Sequence, residues 1–266
     1  ILKDQATERE TELKKRGYGF IFFEENIKSN FLYYATLNDE GVQSSNNQLT
    51  SEMNVWDFEF NLQGTQIAAT FSPKNLIDHK YMFRKIYVLD LGSGMMEKVS
   101  DNAGKLGNYV FSPDGSKIAY AAALDINDHQ ISQAFVVNLE DKVVSNYTPD
   151  NFMGHISWVN WKNDNDLIYL SAEGVNSNLN LVNLKSNKRS ILLDGKEQGI
   201  VFQAPQFTSK FKTFVFSGST ISDRINLYSW SGKGDLKRIT NVNPNLNGMI
   251  LGEQTVIQYQ ARDGKE

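Results

Sequence analysis

Two adjacent carboxylates are the first residues of this chain whose type and spacing could do chemistry. Glu24 and Glu25 follow an aromatic run, Phe20–Phe23, which is typical of a strand. Paired carboxylates attract a cation electrostatically, so Glu24 and Glu25 are candidate substrate-binding residues. The simpler interpretation is the solvated end of a strand, and the flanking residues favour it.

Side chains for metal binding or nucleophilic catalysis are scarce in this chain. Residues near the histidines do not repeat at metal-ligand spacing, so we predict no metal site. Asp125, Asn127 and Asp128 suggest calcium, but the ligand pattern of an EF-hand and its glutamate are missing, so we interpret them as loop residues. The 3 histidines are His79, His129 and His155.

Composition excludes several classes of function. The chain has 266 residues and no cysteine, which excludes disulfides, iron–sulfur clusters and cysteine nucleophiles. Its 27 basic and 31 acidic side chains give a net charge of −4 without a basic block, so we expect neither a nucleic-acid partner nor a membrane partner. We expect no cofactor. The compartment is open, with a periplasmic or secreted location favoured over the cytoplasm.

The elements that must position these residues begin with a helix and continue as strands. Residues 4–16 lack Gly and Pro and contain favourable charge pairs four residues apart, which predicts a helix. Few of its residues are apolar, so it should lie on the surface, and we define 1–16 as a helical lead-in. From residue 17 onward, short aromatic and β-branched runs alternate with polar turns.

A long-period repeat sets the architecture. Each copy opens with an aromatic residue, passes a polar turn and enters an apolar strand at Ile67, Ile118, Ile168 or Phe214. The turn Ser112–Gly115 has the sequence of a tight turn, and turn chemistry alone explains it. The copies are FNLQGTQIAA, FSPDGSKIAY, WKNDNDLIYL and FTSKFKTFVF, which start at residues 60, 111, 161 and 207.

Each repeat continues into a hairpin, so it holds four strands. A period of about 50 residues with four strands is typical of a β-propeller blade, whereas a β-sandwich lacks the long-period repetition. We therefore predict an all-β propeller of about five blades over residues 17–250, with 251–266 as a strand and linker. The hairpins are 31–50, 85–100, 134–148, 179–193 and 225–240, and the first belongs to a unit whose front half is irregular or lies upstream.

The motif FSPDGSKIAY with its following hairpin is similar to repeats of TolB-like proteins and of the prolyl oligopeptidase family of serine peptidases. Residues 101–129 and 154–175 resemble the acylaminoacyl-peptidase and dipeptidyl-peptidase branch of that family. The end of the chain also resembles it. Arg238-Ile239-Thr240, then Asn243-Pro244, and later Ala261-Arg262-Asp263-Gly264, match the family's passage from its last blade into an α/β-hydrolase domain.

This resemblance implies a non-catalytic propeller that admits short peptides to a hydrolase domain carrying the Ser, Asp and His. The chain contains no G-x-S-x-G motif, so we expect no catalytic residue in it and no hydrolysis by it alone. Glu24 and Glu25 would then hold the free amino terminus of a peptide. The long loops 72–84 and 122–133 would line the cavity between the domains or a dimer contact.

The resemblance also makes the chain a fragment, because the family's propellers have about seven or eight blades. An open ring exposes blade edges, which favours homo-oligomers. Two alternatives are a free-standing TolB-like propeller that acts as a protein-interaction scaffold, and an enzyme that uses the propeller's own central channel. The scaffold does not account for the 251–266 tail.

Overall fold

The computed structural model describes residues 7–19, 24, 27–43, 47–208, 211–246, 248–249, 252–262 and 264. Helix α1 spans Glu8–Lys15 and confirms the predicted helix within 4–16. The Thr7 hydroxyl accepts from the Glu10 amide, and the Glu10 carboxylate accepts from the Thr7 amide, which closes a capping box. None of its residues is buried, as expected for a surface lead-in.

Sixteen of the strands form four antiparallel sheets, each made of four strands in chain order. A hairpin of β1 (Tyr33–Tyr34) and β2 (Asn47–Gln48) precedes them. Sheet I contains β3 (Asn54–Phe60), β4 (Gln66–Ser72), β5 (Lys85–Asp90) and β6 (Met96–Lys98). Sheet II contains β7 (Leu106–Phe111), β8 (Lys117–Ala123), β9 (Ser132–Asn138) and β10 (Val144–Asn146). Sheet III contains β11 (Gly154–Asn163), β12 (Asp166–Glu173), β13 (Asn176–Asn183) and β14 (Lys188–Asp194). Sheet IV contains β15 (Val201–Phe207), β16 (Phe214–Ser219), β17 (Asn226–Trp230) and β18 (Lys237–Arg238).

The second strand of each sheet begins where the repeat predicts it. Ile67, Ile118, Ile168 and Phe214 are all at most 2% exposed. Apolar clusters fill the spaces between sheets I and II, between II and III, and between III and IV. Each of these sheets is therefore apolar on the faces that meet its neighbours, which is the arrangement of stacked propeller blades.

Polar turns join the first and second strands, and they confirm the turn interpretation of Ser112–Gly115. The Asp114 carboxylate accepts from the Ser116 amide at 2.9 Å, and the Gly115 amide donates to the Ser112 carbonyl at 2.8 Å. Gly115 has φ +75°, where a Cβ would be strained. In sheet I, Asn61 takes the equivalent role, because its side-chain oxygen accepts from the amides of Thr65 and Gln66.

The hairpin β1–β2 is the outer half of a fifth unit. Leu32 packs with sheet I, and its amide donates to the Thr50 hydroxyl at 2.9 Å. The same bond, from the third strand to a Ser or Thr after the fourth strand, recurs in three sheets. In these three sheets the backbone amide of the first residue donates to the hydroxyl of the second: Ile86 to Ser100, Ala134 to Thr148, and Leu227 to Thr240. The predicted fifth hairpin is thus confirmed, and it carries the same bond as three of the four sheets.

The predicted strand near the end of the chain does not form in the described residues 252–262. These residues have no regular secondary structure and are exposed, including Val256, Ile257 and Tyr259. A strand needs a partner for its backbone groups, and none of the described strands pairs with this segment. Among the described helices, none is long and apolar enough to cross a membrane.

Candidate functional site

The first strands of the sheets lie side by side, joined by hydrogen bonds from side chain to backbone. The Asn108 amide group of β7 bonds both the carbonyl and the amide of Val159 in β11, at 2.8 and 2.9 Å. The Trp161 indole N–H donates to the Val110 carbonyl at 3.1 Å. These bonds set the spacing between sheets II and III, so the side chains at the end of each first strand converge.

A cavity of about 340 Å³ opens where these strand ends meet. The four aromatic residues that open the sequence repeats all line it, one from each sheet. Phe111 and Trp161 are nearly buried, whereas Phe60 is 48% exposed at the rim. The lining residues are Glu59, Phe60, Leu62, Val110, Phe111, Ser112, Pro113, Asn160, Trp161, Lys162, Phe207 and Phe211.

Glu59 is the one carboxylate among the lining residues. Its Oε1 accepts from the Phe111 backbone amide at 2.9 Å, and its second oxygen has no donor among the described residues. Burial raises its pKa to about 7 by penalising the charged form; the Phe111 amide opposes this rise and the nearby Asp57 carboxylate adds to it. Glu59 is therefore poised to exchange its proton near neutral pH.

Asp57, two residues earlier on β3, belongs to a network that joins sheets I and II. Its carboxylate accepts from the Tyr109 hydroxyl at 2.8 Å and pairs with the Arg84 guanidinium at 2.6 Å. Arg84 also donates to the Leu106 carbonyl at 2.8 Å. Burial and the adjacent Asp57 raise the pKa of Tyr109, so its hydroxyl stays a donor. These bonds join strand β3 and the Arg84 side chain of sheet I to strand β7 of sheet II, whereas the buried Nε of Arg84 has no hydrogen-bond partner among the described residues.

The predicted residue Glu24 does not lie at this cavity. Its carboxylate is 3.4 Å from the Lys74 ammonium, just after β4, at the opposite end of sheet I from the turn between β3 and β4. Glu24 has φ +54°, a left-handed conformation that only a few per cent of non-glycine residues adopt. Glu25 lies outside the described residues.

The histidines are spread over different surroundings. His79 lies in a π-helix, His79–Phe83, with its ring edge-on to Phe83 at 5.4 Å, and His129 is exposed. The His155 Nδ1 accepts from the Ser132 amide at 3.1 Å, and burial, together with Lys105, lowers its pKa. In the part of the chain that the structure describes, no cluster of three or more His, Asp or Glu residues could hold a metal ion.

The long loops lie at the same end of the sheets as Glu24. The loop 72–84 contains the π-helix, where the Lys80 ammonium sits 5.9 Å from the Trp56 ring centre. In the loop 122–133, the Asp125 carboxylate accepts from the Asn127 amide at 2.8 Å. The Lys105 ammonium donates to the Asp128 carbonyl. The Asp-rich segment is thus an ordinary turn tied to a lysine, as the loop interpretation expects.

Sequence reasoning missed Glu59, although the repeat carries a signal for it. When the four copies are aligned on their opening aromatic residue, the residue just before it is Glu59, Val110, Asn160 or Gln206. Glu59 is the only carboxylate at that position, and Lys162 follows the opening aromatic of its own copy. An alignment of positions around the aromatics would have pointed to both charged residues.

No protein-family model and no curated protein matches this chain. Solved structures do. TolB from Acinetobacter baumannii aligns with a TM-score of 0.53 and 14% identity, over 78% of this chain and 48% of TolB. An oligogalacturonate lyase in complex with manganese aligns at 0.60 and 14%, over 73% of this chain and 56% of the lyase.

The Pyrococcus horikoshii acylaminoacyl peptidase aligns with a TM-score of 0.55 and 14% identity, over 86% of this chain and 35% of the peptidase. The chain therefore spans about half the length of TolB and of the lyase, and about a third of the peptidase. At these identities the likeness concerns the fold alone. The chain has the four-stranded blades of a TolB-like β-propeller, a fold that it shares with peptidases of the prolyl oligopeptidase family.

Proposed function

We propose that this chain is the non-catalytic β-propeller domain of a prolyl oligopeptidase-type serine peptidase. In this role it restricts access of short peptides to an α/β-hydrolase domain beyond its C-terminus. Its domains are the lead-in 1–16, the blades 17–250 and the linker 251–266. A periplasmic or secreted location is part of the proposal.

The observation that carries the proposal is the segment that follows the last sheet. Strand β18 ends at Arg238, the first residue of the R-I-T motif, and the Thr240 hydroxyl of that motif accepts from the Leu227 amide. The A-R-D-G motif begins at Ala261, near the end of the exposed stretch 252–262. Val256 and Ile257 are 67% and 79% exposed. Exposed apolar residues in an unpaired stretch suit a segment that pairs with another domain. The scaffold hypothesis does not account for them.

The physical basis of the restriction is exclusion by size. Stacked blades are stiff because their interfaces are closely packed, so an opening between or through them admits extended chains and rejects folded ones. Acyl transfer would take place in the hydrolase domain by the Ser-His-Asp route. The propeller contributes selection rather than chemistry.

Glu24 and Glu25 remain candidates for binding the free amino terminus of the peptide. Glu24 lies beside the loop 72–84, at the end of the sheets away from the aromatic cavity. In the native peptidase, Glu24→Gln should raise KM for peptides with a free amino terminus and leave acetylated peptides unaffected. Glu140→Gln, at an exposed turn, is the matched control. An unchanged KM for both peptide types would refute this role.

The proposal is tested on the native polypeptide that contains this sequence. Its reading frame should encode a G-x-S-x-G motif downstream of residue 266, and a fluorophosphonate probe should label the native polypeptide outside the propeller. A stop codon directly after residue 266, or a native polypeptide that the probe does not label, would overturn the proposal.

The second candidate is a TolB-like scaffold that binds other proteins. The alignment with TolB at a TM-score of 0.53 favours it on fold alone. Exposed apolar residues of sheet IV, such as Val201 and Leu227, are consistent with an interface, including one between two copies. The same labelling experiment separates the two candidates, because a scaffold carries no reactive serine.

A further inference from the structure

The aromatic cavity combines features that the role in peptide exclusion does not require. Its walls come from four sheets and include five aromatic side chains beside Leu62 and Val110, which suits a ligand with apolar parts. A carboxyl group in such a wall is costly unless it has a partner. Glu59 nevertheless faces the cavity with one oxygen bonded to the Phe111 amide and the other without a donor among the described residues.

Elsewhere in this chain, a carboxylate and two aromatic rings surround the guanidinium cation of an arginine. Within sheet III, the Arg189 guanidinium of β14 pairs with the Glu173 carboxylate of β12. The guanidinium carbon lies 5.6 Å from the ring centre of Phe152 and 5.9 Å from that of Tyr169. A carboxylate and two aromatic faces thus accommodate a largely buried cation in this fold.

We propose that the cavity binds an organic cation, an ammonium or guanidinium group, with Glu59 as its ion-pair partner and the aromatic rings as its cation–π faces. Phe207 and Phe211 are packed with their ring centres 4.3 Å apart and form one wall. A metal ion is a poor fit, because calcium and magnesium need several oxygen ligands and Glu59 is the only carboxylate in the lining. This inference is independent of the hydrolase partner.

Two other charged side chains near Glu59, those of Asp57 and Lys162, bear on the binding of a cation. Asp57 is paired with Arg84 and bonded to the Tyr109 hydroxyl, so it does not compete for the ligand. Lys162, on β11, lines the cavity and has no ion-pair partner among the described residues. Its charge should oppose a simple cation, so removing it should strengthen binding.

Proton release should accompany binding. Burial penalises the charge of the Glu59 carboxylate and raises its pKa to about 7. A bound cation favours the charged carboxylate and lowers this pKa, so affinity should rise as pH increases from 6 to 8.

Phenethylammonium and its uncharged counterpart 2-phenylethanol are the probes, titrated calorimetrically into the intact chain. We expect phenethylammonium to bind about tenfold more tightly, and Glu59→Gln to remove that preference. Phe211→Leu should weaken binding and Lys162→Met should strengthen it, whereas Glu140→Gln should change nothing. Equal affinity for the two probes, no detectable binding of the cation, or retained preference in the Glu59 variant would overturn the proposal.

Two peptides of equal length distinguish a free amino terminus from a lysine side chain as the source of the bound cation. One has a free amino terminus and no lysine, and the other is acetylated and carries one internal lysine. Whichever binds in a Glu59-dependent manner identifies the source. If neither peptide binds but phenethylammonium still does, the cavity binds cations but peptides are not its ligands. That result would also argue that peptides do not pass through this cavity. The labelling test of the hydrolase partner is unaffected by either result.

Discussion

Replacing Glu59 with glutamine should change how the stability of the protein depends on pH. Burial raises the pKa of this carboxyl from 4.5 to about 7 in the folded state. Between these values the folded state holds a proton that the unfolded state has lost, so stability falls as pH rises. The full penalty, present above pH 7, corresponds to about 3 kcal/mol, which partial solvation reduces to about 1–3 kcal/mol.

Glutamine keeps the oxygen that accepts from the Phe111 amide but never ionises. We therefore expect Glu59→Gln to be more stable than the parent by about 1–3 kcal/mol at pH 8, and nearly equal to it below pH 4.5. Urea unfolding followed by tryptophan fluorescence from pH 4 to 8 gives the difference directly. Glu140→Gln serves as the control and should follow the parent curve.

Parallel curves for the parent and Glu59→Gln would refute this reasoning. So would a variant that is less stable than the parent at pH 8, because the carboxylate would then be stabilised rather than strained by its surroundings. The slope of the parent curve also contains the contribution of His155, whose pKa burial lowers. The difference between parent and variant isolates Glu59.

The remaining predictions concern other contacts between and within blades. The His155 Nδ1 accepts from the Ser132 amide only when it is unprotonated, and its folded-state pKa is lowered from the ordinary value of 6.5. Stability should therefore be lost as pH falls below about 6.5 towards the lowered pKa, and His155→Asn should abolish that loss in thermal melts between pH 7 and 5. Asn108→Ala leaves both backbone groups of Val159 unpaired and should cost about 2–4 kcal/mol in urea unfolding, and a cost under about 0.5 kcal/mol would contradict the contact. Gly104→Ala places a methyl group on a loop carbonyl and should lower the melting temperature by several degrees.

The repetition in the sequence predicted most of the fold. Ile67 and Ile118 begin buried strands because a polar turn precedes each and because neighbouring blades cover both faces of the sheet. Turn chemistry is local, so Ser112–Gly115 could be interpreted correctly without tertiary information. The described residues 252–262 form no strand in this structure, because a strand depends on a partner that local sequence does not specify.

The cavity could not be predicted as a site, because it is made by residues about 50 positions apart that only the stacking of sheets brings together. Phe60 and Trp161 were recognised as repeat markers, but not as two walls of one space. The residues around Glu59 give no signal by themselves, since its raised pKa comes from burial; only the comparison with Val110 and Asn160 at the same repeat position marks it. Glu24, which did stand out locally, lies at the other end of the sheets.

The central claim, that the propeller selects peptides by size for a hydrolase domain, is tested most directly by substrate length. The native protein should be given a series of unstructured peptides that share one cleavage sequence, and a folded protein that carries the same sequence in an exposed loop. We predict rapid hydrolysis of the short peptides and almost none of the folded protein. Equal rates for both, or no hydrolysis of any peptide, would contradict the account.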